Sequence, residues 1–149
     1  MPAPALTARI ALVTGASRGI GKAIAIALAE AGADVAVNYR QRRDEAEATV
    51  AAVRRLGVKS EAFGADVSDA QAVTALVRNI EKTLGPLDIL VNNAGIALRR
   101  SLDEMTEADF DQTIAINLKS AFLCTQAVWP GMQPAAGGGR AEAPPGRSG

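Results

Sequence analysis

Four short apolar runs, each followed by a stretch of helical period, constrain this chain more than any other feature. Ile10-Ala11-Leu12-Val13 is a continuous apolar run ending in Thr14-Gly15, as suits a strand buried on both faces of a parallel sheet. Ile20, Ala23, Ile24, Ala27 and Leu28 then recur at one helical spacing, and Gly32 sits where a helix C-cap belongs. Val35–Val37 predicts a second strand, followed by a helix over about residues 44–56 that Gly57 ends. A third strand is expected around Ser60 to Phe63. Ser68-Asp69-Ala70-Gln71 reads as a capping box opening a helix with Val73, Leu76, Val77, Ile80 and Leu84, which Gly85-Pro86 stops. Asp88–Val91 predicts the fourth strand, and Thr106-Glu107-Ala108-Asp109 opens a last helix reaching about Val128. The alternation predicts an α/β fold: a doubly wound parallel sheet of about four strands and four helices, with right-handed crossovers. Ligands of such sheets sit outside the carboxyl ends of the strands.

Composition narrows the functional classes. The 149 residues suit one domain, and 16 basic against 16 acidic residues leave no net charge. With no basic run and only five aromatic residues, nucleic acid and anionic membrane are not expected partners. The absence of histidine excludes Ser-His-Asp triads and histidine metal sites, and the single Cys124 excludes an internal disulfide and a cysteine-cluster metal site. Cys124 is expected to be a buried small hydrophobe. The start lacks a basic segment followed by an apolar one, and the longest apolar run, Ala23 to Ala29, is far short of a bilayer span. A soluble cytoplasmic protein is expected. Composition changes near the end: of the 18 residues from Met132 to Gly149, 14 are Ala, Gly, Pro or Arg. The expected division is a folded domain over residues 1–131 and a disordered tail over 132–149.

Four motifs, and the Asn38–Arg40 stretch, fall at strand carboxyl ends or in the last helix. Thr14-Gly15-Ala16-Ser17-Arg18-Gly19-Ile20-Gly21 joins the first strand to the first helix, with the spacing Gly-x-x-x-Gly-x-Gly. Glycines there let backbone N–H groups approach a pyrophosphate at the helix N-terminus. Such a turn suits a Rossmann-like nucleotide-binding domain, the alternative being a glycine-rich turn without a ligand; Gly15, Ser17, Arg18, Gly19, Ile20 and Gly21 are the candidate cofactor contacts. The second strand closes on Asn38-Tyr39-Arg40, where a NAD-binding chain would carry an acid for the ribose 2′-OH. No acid is present to repel a 2′-phosphate, and Arg40 and Arg18 can pair with one, so NADP is favoured over NAD. Arg42 and Arg43 read as a solvated loop. Asp66-Val67 follows the third strand; Asp66 can accept from an adenine amino group or satisfy nearby loop backbone, and the residues alone do not choose. Asn92-Asn93-Ala94-Gly95 closes the fourth strand, where a turn would also want Asn and Gly. Asn117 sits at helical spacing among Phe110, Ile114, Leu118 and Ala121. A buried amide there must find partners, whether a neighbouring backbone group or a functional one.

These motifs, in this order, resemble the short-chain dehydrogenase/reductase family, and within it the NADPH-dependent 3-oxoacyl-(acyl-carrier-protein) reductase-like group. The resemblance runs from about Thr7 to Met132, the N-terminal part of that fold. It implies that Asn93, Ala94 and Gly95 line the adenosine-ribose side of the cofactor. It also implies that Asn117 is the helix member of an Asn-Ser-Tyr-Lys catalytic set, holding a water in a proton relay. In the family a fifth strand with the catalytic Ser comes next, and then a helix with Tyr-x-x-x-Lys. Here the one tyrosine is Tyr39, the last lysine is Lys119, and Ser148 lies in the tail. The chain as written is therefore expected to be catalytically incompetent. A short protein that keeps the nucleotide half would account for this, as would a frame-shifted reading of a longer gene; a tail rich in Ala, Gly, Pro and Arg, residues with GC-rich codons, favours the latter. Three functions are compatible with these residues: a carbonyl reductase by descent, an NADP-binding half-domain that catalyses nothing, or an interaction fragment that pairs with its copy through the last helix. No metal is expected, and a carbonyl substrate only with the missing half restored.

Overall fold

The computed structural model describes residues 4–133, so the tail expected to be disordered lies, beyond Gln133, outside the described residues. Strands β1 (Ile10–Val13), β2 (Asp34–Tyr39), β3 (Ser60–Gly64) and β4 (Ile89–Val91) form one sheet in the order β3-β2-β1-β4. All three pairings are parallel, with Leu12 opposite Ala36 and Leu90, and Val37 opposite Ala62. Helices α1 (Gly19–Glu30), α2 (Arg43–Arg54), α3 (Ala70–Thr83), α4 (Glu107–Ile114) and α5 (Ser120–Met132) complete the fold, and a π-helical turn over Ala115–Lys119 joins the last two. The parallel, doubly wound sheet with four strands is the architecture expected from the alternating pattern.

Strand side chains alternate between two cores, one on each face of the sheet. Leu12 and Ala36 pack with Val73, Leu76, Val77 and Ile80 of α3 and with Cys124 and Val128 of α5. Val13, Val35 and Val37 pack on the other face with Ala25 and Ala29 of α1 and Ala46, Val50 and Val53 of α2. Burying each face under a pair of helices is what lets β1 and β2 be apolar at every position that faces a core. Cys124 is buried in the first of these cores, as expected.

Local details depart from the expectations in physically readable ways. In α1 the buried row is Gly21, Ala25 and Ala29, not Ile20, Ala23, Ile24, Ala27 and Leu28. Ile20 is 75% exposed, while Ile24 and Leu28 only flank the core. Nearly every residue of α1 is apolar, so periodicity did not single out a face; the small residues win because they let the helix lie close to the sheet. Ser68 does not cap α3: Asp69 does, accepting from Ala72 N at 2.7 Å, while Ser68 turns to Asp66. Thr106 and Asp109 do form the expected reciprocal capping box. The last helix is not continuous, because the π turn shifts its register. The side buried against the sheet is Ser120, Cys124 and Val128, whereas Phe110, Ile114 and Leu118 of the anticipated apolar stripe face outward.

Candidate functional site

Strand order places the carboxyl ends of β1 and β4 side by side, while the chain departs from them to opposite faces of the sheet. A crevice opens at such a switch point. The turn after β1 enters it with Gly15 at φ +61° and Gly19 at φ +56°, a region L side chains rarely adopt. Arg18 precedes α1 in extended conformation, and no side chain caps that helix. Its first backbone N–H groups therefore lack the partner that a Ser, Thr or Asp would supply.

Gly21 is required for a different reason. A Cβ there would stand 2.5 Å from both Asn93 Nδ2 and Gly15 O, and 2.8 Å from Ala16 Cα. Asn93 is the bolt: its Nδ2 donates to Thr14 O (2.9 Å) and Gly15 O (3.1 Å), tying the end of β4 to the glycine turn. The Thr14 hydroxyl works alongside it, accepting from Asn93 N (3.0 Å) and Ala94 N (2.9 Å) and donating to Val91 O (3.3 Å). On the other flank buried Asn38 is the last residue but one of β2. Its Oδ1 accepts from Gly15 N (3.2 Å), and its Nδ2 donates to Phe63 O and Ala65 O (both 3.2 Å). Thr49 of α2, fully buried, donates to Ser17 O at 3.0 Å. Four polar side chains thus fix one loop from three sides. Thr14, Asn38 and Thr49 were not among the sequence candidates. The available signal was a polar residue directly after an apolar run, which held for Thr14 after Ile10–Val13 and Asn38 after Val35–Val37; nothing in the sequence marked Thr49.

A cleft of about 270 Å³ runs across these strand ends. Of the sequence candidates, Gly15, Ser17, Arg18, Arg40, Asp66, Val67, Asn93, Ala94 and Gly95 lie on its wall. Gly19, Ile20 and Gly21 do not: the first two begin α1 at the surface, and Gly21 is packed behind the turn. Arg42 also lines the cleft, contrary to its reading as a solvated loop residue, and donates to Glu45 Oε1 at 2.8 Å. Arg43 begins α2, exposed and 3.9 Å from Glu47. Asp66 accepts from Ser68 Oγ (2.6 Å) and Ser68 N (3.0 Å) through Oδ1, and its Oδ2 lies 3.1 Å from Arg40 Nε. The Ser68 hydroxyl chiefly, with the Ser68 amide and the Arg40 guanidinium, holds the Asp66 carboxyl below its ordinary range despite partial burial. Asp66 is thus tied to its own loop and also faces the cleft.

Asn117 is exposed, not buried as its place in the helix pattern suggested. Its amide nevertheless bonds through both atoms: Oδ1 accepts from Ile96 N at 2.7 Å and Nδ2 donates to Ile96 O at 2.8 Å. It sits in the π turn and holds the segment that leaves β4, one residue past Gly95, against the helix. Ile96 and Ile116 close that end of the cleft. Among the described residues no helix is long and apolar enough to cross a membrane.

A glycine turn bolted at the switch point of a parallel, doubly wound sheet places the chain in the Rossmann-like class. Residues 9–141 match the short chain dehydrogenase family model. The chain is 48% identical over 122 residues, 82% of its length, to the 3-oxoacyl-(acyl-carrier-protein) reductase FabG of Staphylococcus aureus. It is 47% identical over 124 residues to the 3-oxoacyl-(acyl-carrier-protein) reductase of Synechocystis. Among solved structures, a short chain dehydrogenase from Burkholderia cenocepacia in complex with NADP superposes with TM-score 0.81 at 45% identity, covering 84% of this chain and 51% of that one. A dehydrogenase/reductase from Sinorhizobium meliloti gives 0.83 at 41% identity, covering 86% and 51%. The chain belongs to the short-chain dehydrogenase family. It spans 50% of the length of the two reductases it matches.

Proposed function

We propose that the chain is the nucleotide-binding half of an NADPH-dependent oxidoreductase whose full-length form reduces a carbonyl of the 3-oxoacyl type. The observation that carries this reading is the cleft itself, where the glycine turn, Arg18, Arg40, Asp66 and Asn93–Gly95 converge. The residues present fit such a cofactor. The uncapped N-terminus of α1 and the close-packed turn suit a pyrophosphate. Positions 38–40 carry no acid, and Arg18, Arg40 and Arg42 face the cleft, as a 2′-phosphate requires. The relatives' names supply the substrate class, and the Burkholderia neighbour holds NADP.

In this proposal the cofactor supplies a hydride, and the chain's own residues bind and orient. Thr14, Asn38, Asn93 and Thr49 hold the turn, Gly15 to Arg18 meet the phosphates, and Asp66 and Val67 border the adenine. Asn117 acts as a positioning residue, because both its amide atoms are committed to Ile96; a place in a proton relay rests on where it holds that wall. The chain's one tyrosine, Tyr39, lies beside Arg40 at the end we assign to adenosine, and a neutral amide is no useful general acid. The 149-residue chain therefore binds nucleotide without turning it over, in the cytoplasm. Equilibrium titration with NADP+ and NAD+ tests this: tighter NADP+ binding is expected, with the ratio reduced by Arg40→Asp. Equal affinities, or a ratio unchanged in the variant, would overturn the cofactor assignment.

A second reading draws on the outer face of α4 and α5. Phe110, Ile114, Leu118, Phe122 and Trp129 are 40–64% exposed there, and the shallow groove that Leu118, Phe122 and Trp129 line has no charged side chain on its wall. We propose that this face pairs with its copy in a second chain, since an uncharged apolar surface is complementary to itself. Sedimentation of the parent and Leu118→Glu should show a dimer lost in the variant; a parent that stays monomeric would refute it.

A further inference from the structure

The cations that would receive a 2′-phosphate are already held by carboxylates. Arg18 Nε lies 4.0 Å from Glu45 Oε2, and Arg42 Nη1 donates to Glu45 Oε1 at 2.8 Å. One glutamate therefore bridges two of the three guanidiniums on the cleft wall, and Asp66 holds the third, Arg40. The placement of Glu45 is built into the backbone. It stands in the first turn of α2, and the one hydroxyl proton of buried Thr49 is shared between Glu45 O (3.1 Å) and Ser17 O (3.0 Å). A single hydroxyl thus fastens the turn bearing Glu45 to the turn bearing Arg18.

We propose that Glu45 is a specificity-determining residue for the nucleotide, an internal carboxylate that competes with the ligand's 2′-phosphate for Arg18 and Arg42. The inference rests on the nucleotide reading above and adds a residue to it. Three guanidiniums against two carboxylates leave one net positive charge at this end of the cleft. A phosphomonoester brings a charge of about −1.5 to −2 near neutral pH. Each guanidinium keeps further N–H groups for a phosphate, but the carboxylate beside it neutralises its charge and repels the incoming anion. Glu45 is not on the cleft wall, so neutralising it removes the competitor without removing a ligand contact. Asp66, by contrast, is on that wall, and its removal would confound competition with lost contacts.

Exposed ion pairs shift equilibria by about 1.4- to 5-fold each, so freeing both guanidiniums should tighten binding of a 2′-phosphate by about two- to 25-fold. The test is calorimetric titration of the 149-residue chain with adenosine 2′,5′-bisphosphate and with adenosine 5′-monophosphate. Glu45→Gln is expected to tighten the bisphosphate alone, Glu45→Lys to tighten it further, and Glu45→Asp to keep a ratio near the parent's. The gain should vanish when Arg18→Gln and Arg42→Gln are also present. A gain of the same size for both ligands, or none for either, overturns the role of Glu45 while leaving the nucleotide site standing. Failure of the parent and both charge-altering variants to bind either ligand overturns both.

Discussion

Replacing Gly21 by Ala isolates the packing that brings the glycine turn close to β4. The added methyl would meet Gly15 O at 2.5 Å and Ala16 Cα at 2.8 Å, both backbone atoms, so the turn itself must shift. It would also meet Asn93 Nδ2 at 2.5 Å and push it off its bonds to Thr14 O and Gly15 O. Overpacking of this kind costs about 1–3 kcal/mol. Each neutral hydrogen bond lost adds about 1 kcal/mol. Alanine's better helix propensity returns about 1 kcal/mol. The net expectation is a loss of about 3 kcal/mol, or roughly 6–12 °C in Tm for a chain of this size. Gly19→Ala is the internal comparison, since its Cβ meets nothing within 4 Å and only the φ of +56° is strained. That strain costs about 1–2 kcal/mol before the same propensity gain is set against it. Thermal unfolding followed by circular dichroism should therefore rank parent, Gly19→Ala and Gly21→Ala in falling Tm. A Gly21→Ala chain as stable as Gly19→Ala would refute the close approach of Asn93 and the turn.

Asn38→Ala should lower stability by about 1–3 kcal/mol in urea unfolding, because Gly15 N and the carbonyls of Phe63 and Ala65 lose their partner. Asn38→Asp should be worse, since a carboxylate would face those two carbonyl oxygens; equal or greater stability than Asn38→Ala would contradict the bonding. The Asp66 carboxyl is depressed in the folded chain, so its contribution is present above about pH 4 and lost as pH falls through the lower folded value. The stability difference between parent and Asp66→Asn should accordingly be flat from pH 5 to 8 and shrink in acid, and growth in acid would reverse the sign. Burial pushes the Cys124 thiol up to about 11, so its contribution holds below pH 9 and declines between there and 11. Cys124→Ala should lack that alkaline decline. Mixed with NADPH and a 3-oxoacyl thioester, the 149-residue chain should leave NADPH absorbance unchanged; turnover at an ordinary reductase rate would show that another group donates the proton.

The fold was legible because a parallel sheet writes itself as continuous apolar runs, and the glycines of Gly15–Gly21 mark the single turn that must approach both a helix and a strand. The wall residues Arg40, Asp66 and Asn93–Gly95 were legible for the same topological reason, each lying just past a strand's carboxyl end. Helix faces were less so. In α1, where almost every position is apolar, only contact with the sheet could decide that Gly21, Ala25 and Ala29 point inward. In the last helix the extra residue of the π turn rotates α5 relative to α4, so Ser120, Cys124 and Val128 face the core and Leu118 does not. Asn117 is a polar anomaly in an apolar stripe, yet it is exposed and bonded to Ile96, a loop contact with no periodic signature. The pairing of Arg42 with Glu45 belongs to the same class. It depends on where α2 begins, which placed the pair at the cleft instead of in solvent.

The claim on which the rest depends is that a dinucleotide lies across the carboxyl edge of the sheet. Amide chemical-shift mapping of the isotope-labelled chain on addition of NADP+ tests it most directly. The account predicts shifts at Gly15, Ser17, Arg18, Val67 and Gly95, which line the cleft, and none at Thr7 and Gly57, at the opposite end of the strands. A saturating titration that leaves the cleft amides unmoved, or that moves only the outer face of α4 and α5, would contradict it.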